Sequence, residues 1–201
     1  MPQNHSYKRT AVAVYATIMH AVCGGCRLMH AIGGQESSVA AEEKASYWSV
    51  VEPIWTKVNI HDEPDRFLAQ FRQLPQAVGD LYAAHWLVSE VVNGAFPQFF
   101  SNSTGVLAPE AVTALKRMGL AEAAEIVESF MTFFGDEYPR GRAERSELID
   151  WVWEKQKSDA QEHNLDIMLE LSGQFLDAVG NNQELFDRAA DSYAKTYLMS
   201  V

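Results

Sequence analysis

The sequence predicts an all-α fold, a compact single-domain bundle of several helices. Three observations carry this. Apolar residues return at spacings of three and four through most of the chain. Glycine and proline stand where helices would end or begin, and alternating runs joined by hairpin turns are missing. With 201 residues, 47% apolar and 21% charged, the chain is long enough for one core of ordinary size. No repeat of about 20–50 residues is visible, so a solenoid is not expected.

The first element is an extension, residues 1–36, ahead of a helical domain at 37–201. Its Cys23 and Cys26 are the only cysteines, so no disulfide is expected to hold the fold. With His20 and His30 they make a spacing that zinc accepts, but only Gly24 and Gly25 separate the cysteines and no core pattern surrounds them, so no metal site is expected. Lys8 and Arg9 precede the apolar run Ala11–Val22, as in a secretory signal. Tyr15, Thr17 and His20 interrupt that run, the nearest small-x-small site is Ala31-Ile32-Gly33, and Val22 spoils a lipoprotein box. A cytoplasmic location is the expectation; translation from Met19 or Met29 is a further alternative for this segment.

In the domain, Phe67, Phe71 and Leu74 share one helix face, and after Pro75 the stripe continues through Val78, Leu81, His85, Val88 and Val92. Pro109 suits a first turn, and Gly119 closes a helix carrying Val112, Leu115 and Met118. A helix over 121–134 is bounded by Gly135; Leu148, Trp151 and Val152 mark the next, and Leu165, Leu169 and Leu176 another before Gly180. Asn181 with Glu184 has the form of a capping box opening a last helix along Leu185, Ala189, Tyr193 and Tyr197.

Charge narrows the function. Lys and Arg number 16 against 27 Asp and Glu, for a net charge of −11. Nucleic acid is held by cations that neutralise phosphates, so direct binding to DNA or RNA is not expected and a basic partner is. No run of about 18 apolar residues supports a membrane span. Phosphate-loop, dinucleotide-binding and His-Glu-x-x-His patterns are absent. The cluster His61-Asp62-Glu63-Pro64-Asp65 lacks the spacing of a calcium loop and fits a helix start better. The sequons at Asn4 and Asn102 match by formula only.

The most distinctive stretch runs from Glu90 to Gly105. Its phenylalanines should be buried, its amides Asn93, Gln98 and Asn102 should pair with irregular backbone, and Gly94 and Gly105 read as left-handed stops. Asn93, Gly94, Gln98, Asn102 and Gly105 are therefore taken as structural. His85, Glu90, Ser101 and Ser103 form the one catalytic alternative, but no nucleophile-elbow spacing surrounds either serine and His85 lies on an apolar stripe. No catalytic residue, cofactor or metal is expected, and the protein is read as a non-enzyme.

The stretch Asn93-Gly94-Ala95-Phe96-Pro97-Gln98-Phe99-Phe100-Ser101-Asn102-Ser103-Thr104-Gly105, with Leu107-Ala108-Pro109-Glu110-Ala111 after it, resembles the signature of a bacterial DNA-mimic protein family. Trp48, Val51–Trp55, Ala83–Glu90 and Phe133–Asp136 extend the resemblance over roughly 45–145. The family usually shows a second glycine where Ala95 stands and a histidine where Pro97 stands. The resemblance implies an all-α, acidic, dimerising protein whose surface imitates duplex DNA and occupies the DNA-binding face of a transcription regulator.

Three acidic rows are candidates for that surface: Glu144, Glu147, Asp150 and Glu154; Asp159, Glu162, Asp166 and Glu170; and Glu184, Asp187 and Asp191. Residues three and four apart share a helix face, so each row would line up carboxylates about 5–6 Å apart. Such rows also serve simply as the solvated faces of surface helices. Other classes compatible with the sequence are an immunity-type inhibitor of a basic toxin or nuclease and, less well supported, a small hydrolase.

Overall fold

The computed structural model describes residues 46–154 and 159–200; the side chains of 153–165 and of residue 181 fall outside that description. The described residues all belong to the unit Ala45–Val201. The Cys23–Cys26 and His20–His30 set, the possible signal segment, the alternative starts and the Asn4 sequon lie outside the described residues.

Among the described residues eight α-helices make an all-α bundle: α1 (Trp48–Val51), α2 (Pro64–Phe71), α3 (Gln76–Ser101), α4 (Ala108–Arg117), α5 (Ala121–Met131), α6 (Arg142–Glu154), α7 (Asp159–Val179) and α8 (Glu184–Leu198). Short 3-10 turns follow α1, α3 and α5 and precede α8. Pro64 and Pro109 occupy first turns, where the missing N–H costs nothing. Gly119, Gly135 and Gly180 all take positive φ, ending their helices as their spacing predicts.

The helix α3 is the axis of the bundle, with α1, α4, α6, α7 and α8 all packed on it. Its residues Leu81, Ala83, Ala84 and Leu87 are fully buried, covering more than one face, as a helix surrounded by others requires. Five phenylalanines form the centre of the core: Phe96, Phe99, Phe100, Phe130 and Phe175, all fully buried. Phe100 stacks on Phe130 with ring centres 4.5 Å apart and planes 5° apart. Burying each ring contributes about 1.5–3 kcal/mol. Buried Asp80 on α3 then ties in two more helices, accepting hydrogen bonds from Arg117 of α4 (2.8 Å) and from the Tyr193 hydroxyl of α8 (2.7 Å).

One sequence expectation fails at the last helix. Asn181 and Glu184 do not form a capping box: 181–183 is a 3-10 turn, and the residue before α8 is Gln183, in left-handed conformation with no side-chain cap. Asn182 and Gln183 both have positive φ, at 50° and 56°. Such a backbone cannot present the extended N-cap geometry that a capping box needs.

Candidate functional site

The signature stretch is where α3 breaks and restarts. Gly94 has φ −158° and ψ 25°, Ala95 has φ 63° and ψ 180°, and helical geometry resumes after them. The residue with positive φ is therefore Ala95, and Gly94 has negative φ, contrary to the expectation of a left-handed stop. Gly94 is needed for space, because a Cβ there would overlap the Gln98 side chain. Gly105 also lacks positive φ. A Cβ on it would stand 2.8 Å from the Phe99 carbonyl oxygen and 2.9 Å from Arg145 Nε. Ala95 lies in a region that only glycine enters without strain. Pro97 follows in the first turn of the restarted helix, where a backbone donor has no helical acceptor.

Glu90, one turn before the break, holds the two halves together. Its Oε2 accepts hydrogen bonds from Gln98 (2.7 Å) and Asn102 (2.9 Å), and its Oε1 accepts one from Thr104 (3.0 Å). From the other side, the buried Ser172 hydroxyl of α7 accepts the Phe96 N–H at 3.1 Å and donates to the Met168 carbonyl at 2.8 Å. Gln98 and Asn102 thus donate to a carboxylate and not to the irregular backbone that the sequence suggests. Asn93 differs. It is exposed, and Glu90 is not its partner. The Asn102 nitrogen that a sequon would offer is committed to Glu90.

The far end of α3 is capped by α6. Fully buried Arg145 donates to the carbonyls of Phe100 (2.9 Å), Asn102 (2.9 Å), Pro139 (3.2 Å) and Arg140 (2.5 Å). Arg142 and Ser146 both donate to the Ser101 carbonyl, at 2.9 and 3.1 Å. A helix C-terminus leaves carbonyls unpaired and carries partial negative charge, so two guanidinium groups there satisfy both needs. Tyr138 donates to the Gly105 carbonyl at 2.7 Å, and burial pushes its hydroxyl pKa up. Arg140 bonds the Val106 carbonyl and pairs with Glu110 at 2.5 Å. Arg145 is the residue sequence reasoning missed. Its signal was present: Arg145, Ile149 and Val152 share the inward stripe of α6, and a charge on such a stripe demands partners.

The catalytic alternative of His85, Glu90, Ser101 and Ser103 is not brought together. Both oxygens of Glu90 are occupied by the network. Ser101 contributes its carbonyl to the cap, and the Ser103 hydroxyl lies 3.4 Å from His61 Nδ1. The His85 ring is 3.3 Å from the Tyr47 hydroxyl and sits among Trp48, Trp55 and Trp86. Burial lowers its pKa to about 4, so it is neutral at physiological pH. Among the described residues no group of three His, Cys, Asp or Glu could hold a metal ion, and no helix is long and apolar enough to cross a membrane.

The three acidic rows differ from one another. On α6, Glu144, Glu147 and Asp150 are all exposed. On α7, Asp166 and Glu170 are exposed, and Glu170 accepts a bond from Gln174 at 3.2 Å. Glu154 belongs to α6 and Asp159 and Glu162 to α7, but their side chains lie outside the described residues. On α8, exposed Glu184 stands 3.8 Å from Arg188, whereas Asp187 and Asp191 are half-buried. Asp191 accepts the Tyr47 N–H at 2.9 Å. Burial first, and Asp191 second, raise the pKa of Asp187. Burial, Asp187 and Asp191 together push Tyr47 up to about 12. The third row is thus partly built into the fold.

The model of the DMP19-like protein family matches residues 72–197, from α2's end to the last turn of α8. The chain belongs to that family. The DMP19-like family is one of DNA mimics, in agreement with the resemblance carried by the α3 stretch. The match takes in the Glu90 network, the α3 cap and all three acidic rows. Neither the curated proteins nor the solved structures give a match to this chain.

Proposed function

We propose that this DMP19-like protein is a non-enzymatic mimic of duplex DNA, which covers the DNA-binding surface of a basic partner such as a transcriptional regulator and keeps it off DNA. The observation that carries the reading is the α6 row: Glu144, Glu147 and Asp150 are exposed on one helix, with carboxylates about 5 Å apart along the axis, the scale of neighbouring phosphates on one strand. Asp166 and Glu170 add a parallel feature on α7, and Glu154, Asp159 and Glu162 extend both rows in sequence. The exposed α6 carboxylates turn their charge to solvent, where their electrostatic field can steer a cationic surface. The family's dimeric habit, implied by the resemblance, would double that surface in a homodimer.

The test begins with affinity capture from a native lysate, with elution by rising salt, followed by a gel-shift assay of the captured protein on its DNA. The wild-type chain should displace DNA, and displacement should weaken steeply as salt shortens the Debye length to about 8 Å. Combined replacement of Glu144 and Glu147 by Gln and of Asp150 by Asn should weaken competition without altering the fold. Equal competition by the variant makes the α6 row an ordinary solvated face. A partner that is a nuclease or toxin, with no DNA competition, would point to an immunity-type inhibitor.

A further inference from the structure

Between the end of α2, the first turns of α3 and the length of α4, the bundle leaves a cavity of about 430 Å³ that opens to solvent. Its volume is that of a small-ligand site. Phe71, Leu74 and Pro109 give it an apolar wall. Gly79 lets the Phe71 ring lie directly on α3, because a Cβ there would stand 3.3 Å from the ring. The charged lining consists of two acids, buried Asp80 and half-buried Glu110, and two exposed cations, Arg72 and Arg117.

Both acids are already matched. Asp80 accepts from Arg117 Nη1 on its two oxygens, at 2.8 and 3.1 Å, and from the Tyr193 hydroxyl at 2.7 Å. Glu110 accepts from both terminal nitrogens of Arg140, at 2.5 and 3.0 Å. Arg72 has no such counterpart. Among the described residues its guanidinium makes no hydrogen bond or ion pair, and Arg117 keeps Nε and Nη2 without a partner. One positive charge is therefore left over at the cavity, in a chain whose net charge is −11. A surplus cation beside an apolar wall calls for one negative charge on an apolar body. A carboxylate fits this better than a phosphate, because a guanidinium grips its two oxygens with parallel bonds and the second charge of a phosphate would meet Asp80 and Glu110.

We propose that this cavity binds a small organic carboxylate, with its apolar part on Phe71, Leu74 and Pro109 and its carboxylate on the free donors of Arg72 and Arg117. The site shares no residue with the three acidic rows and stands whether or not the chain mimics DNA. Asp80 in its lining ties α3 to α4 and α8, so an occupant braces the joint of three helices. A ligand that binds the folded chain alone raises its unfolding midpoint.

The probe is benzoate, compared with neutral benzamide and with acetate, each titrated into the full chain and followed by thermal unfolding and by the side-chain resonances of Phe71 and Leu74. Benzoate should raise the midpoint saturably and shift both residues. Benzamide lacks the charge and acetate lacks the ring, so each should bind about tenfold more weakly or worse. Arg72→Gln should weaken benzoate binding about three- to tenfold, and Arg72→Lys, which keeps the charge without the fork, should weaken it less. Arg72 is exposed, so helix content by circular dichroism should not change in either variant. Thr113→Trp, which fills the cavity from α4, should abolish binding; should it disturb folding, the Arg72 variants decide. Benzamide binding as tightly as benzoate, or Arg72→Gln binding it as tightly as the wild type, overturns a carboxylate site. Acetate binding as tightly as benzoate removes the apolar wall from it. Shifts that leave Phe71 and Leu74 unmoved, or no binding of benzoate at millimolar concentration, overturn the proposal outright.

Discussion

Glu90 and the α6 row show two opposite uses of carboxylate in one chain. Glu90 is turned inward at the break in α3, with both oxygens taken by Gln98, Asn102 and Thr104. Glu144, Glu147 and Asp150 are exposed on α6. The same helix shows the contrast again within four residues: Arg145 is fully buried beneath carbonyls, beside exposed Glu144 and Glu147. The lesson is that net charge alone does not identify a binding surface. A carboxylate whose lone pairs are filled by protein donors belongs to the fold, and only one left to solvent is available to a partner. By this measure the α8 row is mixed, because Asp191 is committed to Tyr47 and Glu184 faces Arg188.

The largest expected effect tests the inward side. Arg145→Ala should lower stability by about 3–5 kcal/mol, because it removes a buried charge and strands several carbonyls at once. Chemical denaturation measures this directly; a loss below about 1 kcal/mol would mean that water caps α3 as well as arginine does. Glu90→Ala should come next, costing about 2–4 kcal/mol by leaving three donors without their acceptor. Fluorescence from the neighbouring tryptophans reports the unfolding midpoint. An unchanged midpoint would remove Glu90 from the fold and reopen a functional role for it.

Ala95→Gly sharpens the comparison in the other sense, since it should raise stability. Relief of strain at φ 63° and ψ 180° is worth about 1–3 kcal/mol, offset by about 0.5–1 kcal/mol for the greater freedom of glycine in the unfolded chain. A net gain of about 1 kcal/mol in thermal or chemical unfolding is expected. A loss would show that the break is accommodated without strain. The smallest effect on folding belongs to the outward side: neutralising Glu144, Glu147 and Asp150 together should move stability by less than about 0.5 kcal/mol, with a slight gain from relieved like-charge contacts. The same variant, measured by calorimetry and then by DNA competition, separates binding from folding.

Much of this was legible beforehand. The apolar periodicities located the long helices, and Pro64, Pro109, Gly119, Gly135 and Gly180 stood at their ends. The stretch from Asn93 to Gly105 marked the special segment and carried the resemblance to the family. The conformations within it were not legible. Glycine identity suggested left-handed turns at Gly94 and Gly105, whereas both are required for close approach, and the residue with positive φ is Ala95. Asn93 shares the amide chemistry of Gln98 and Asn102, yet it is exposed, whereas the two amides beyond the break reach back to Glu90. The capping box at Asn181 satisfied its pattern and failed because the turn into α8 is left-handed.

The sequence by itself determined the all-α class, most of the helix ends and the acidic balance, because each of these rests on local spacing or on composition. A helix is written in contacts between residues three and four apart, and charge is a sum that needs no coordinates. Tertiary structure alone decided which charges work inward. Arg145 meets the Phe100 carbonyl across 45 residues, and Asp191 meets the Tyr47 N–H across 144. No local pattern encodes such a pairing, since it exists only once the packed helices bring distant donors and acceptors into a space without water, where each must find the other or go unpaired.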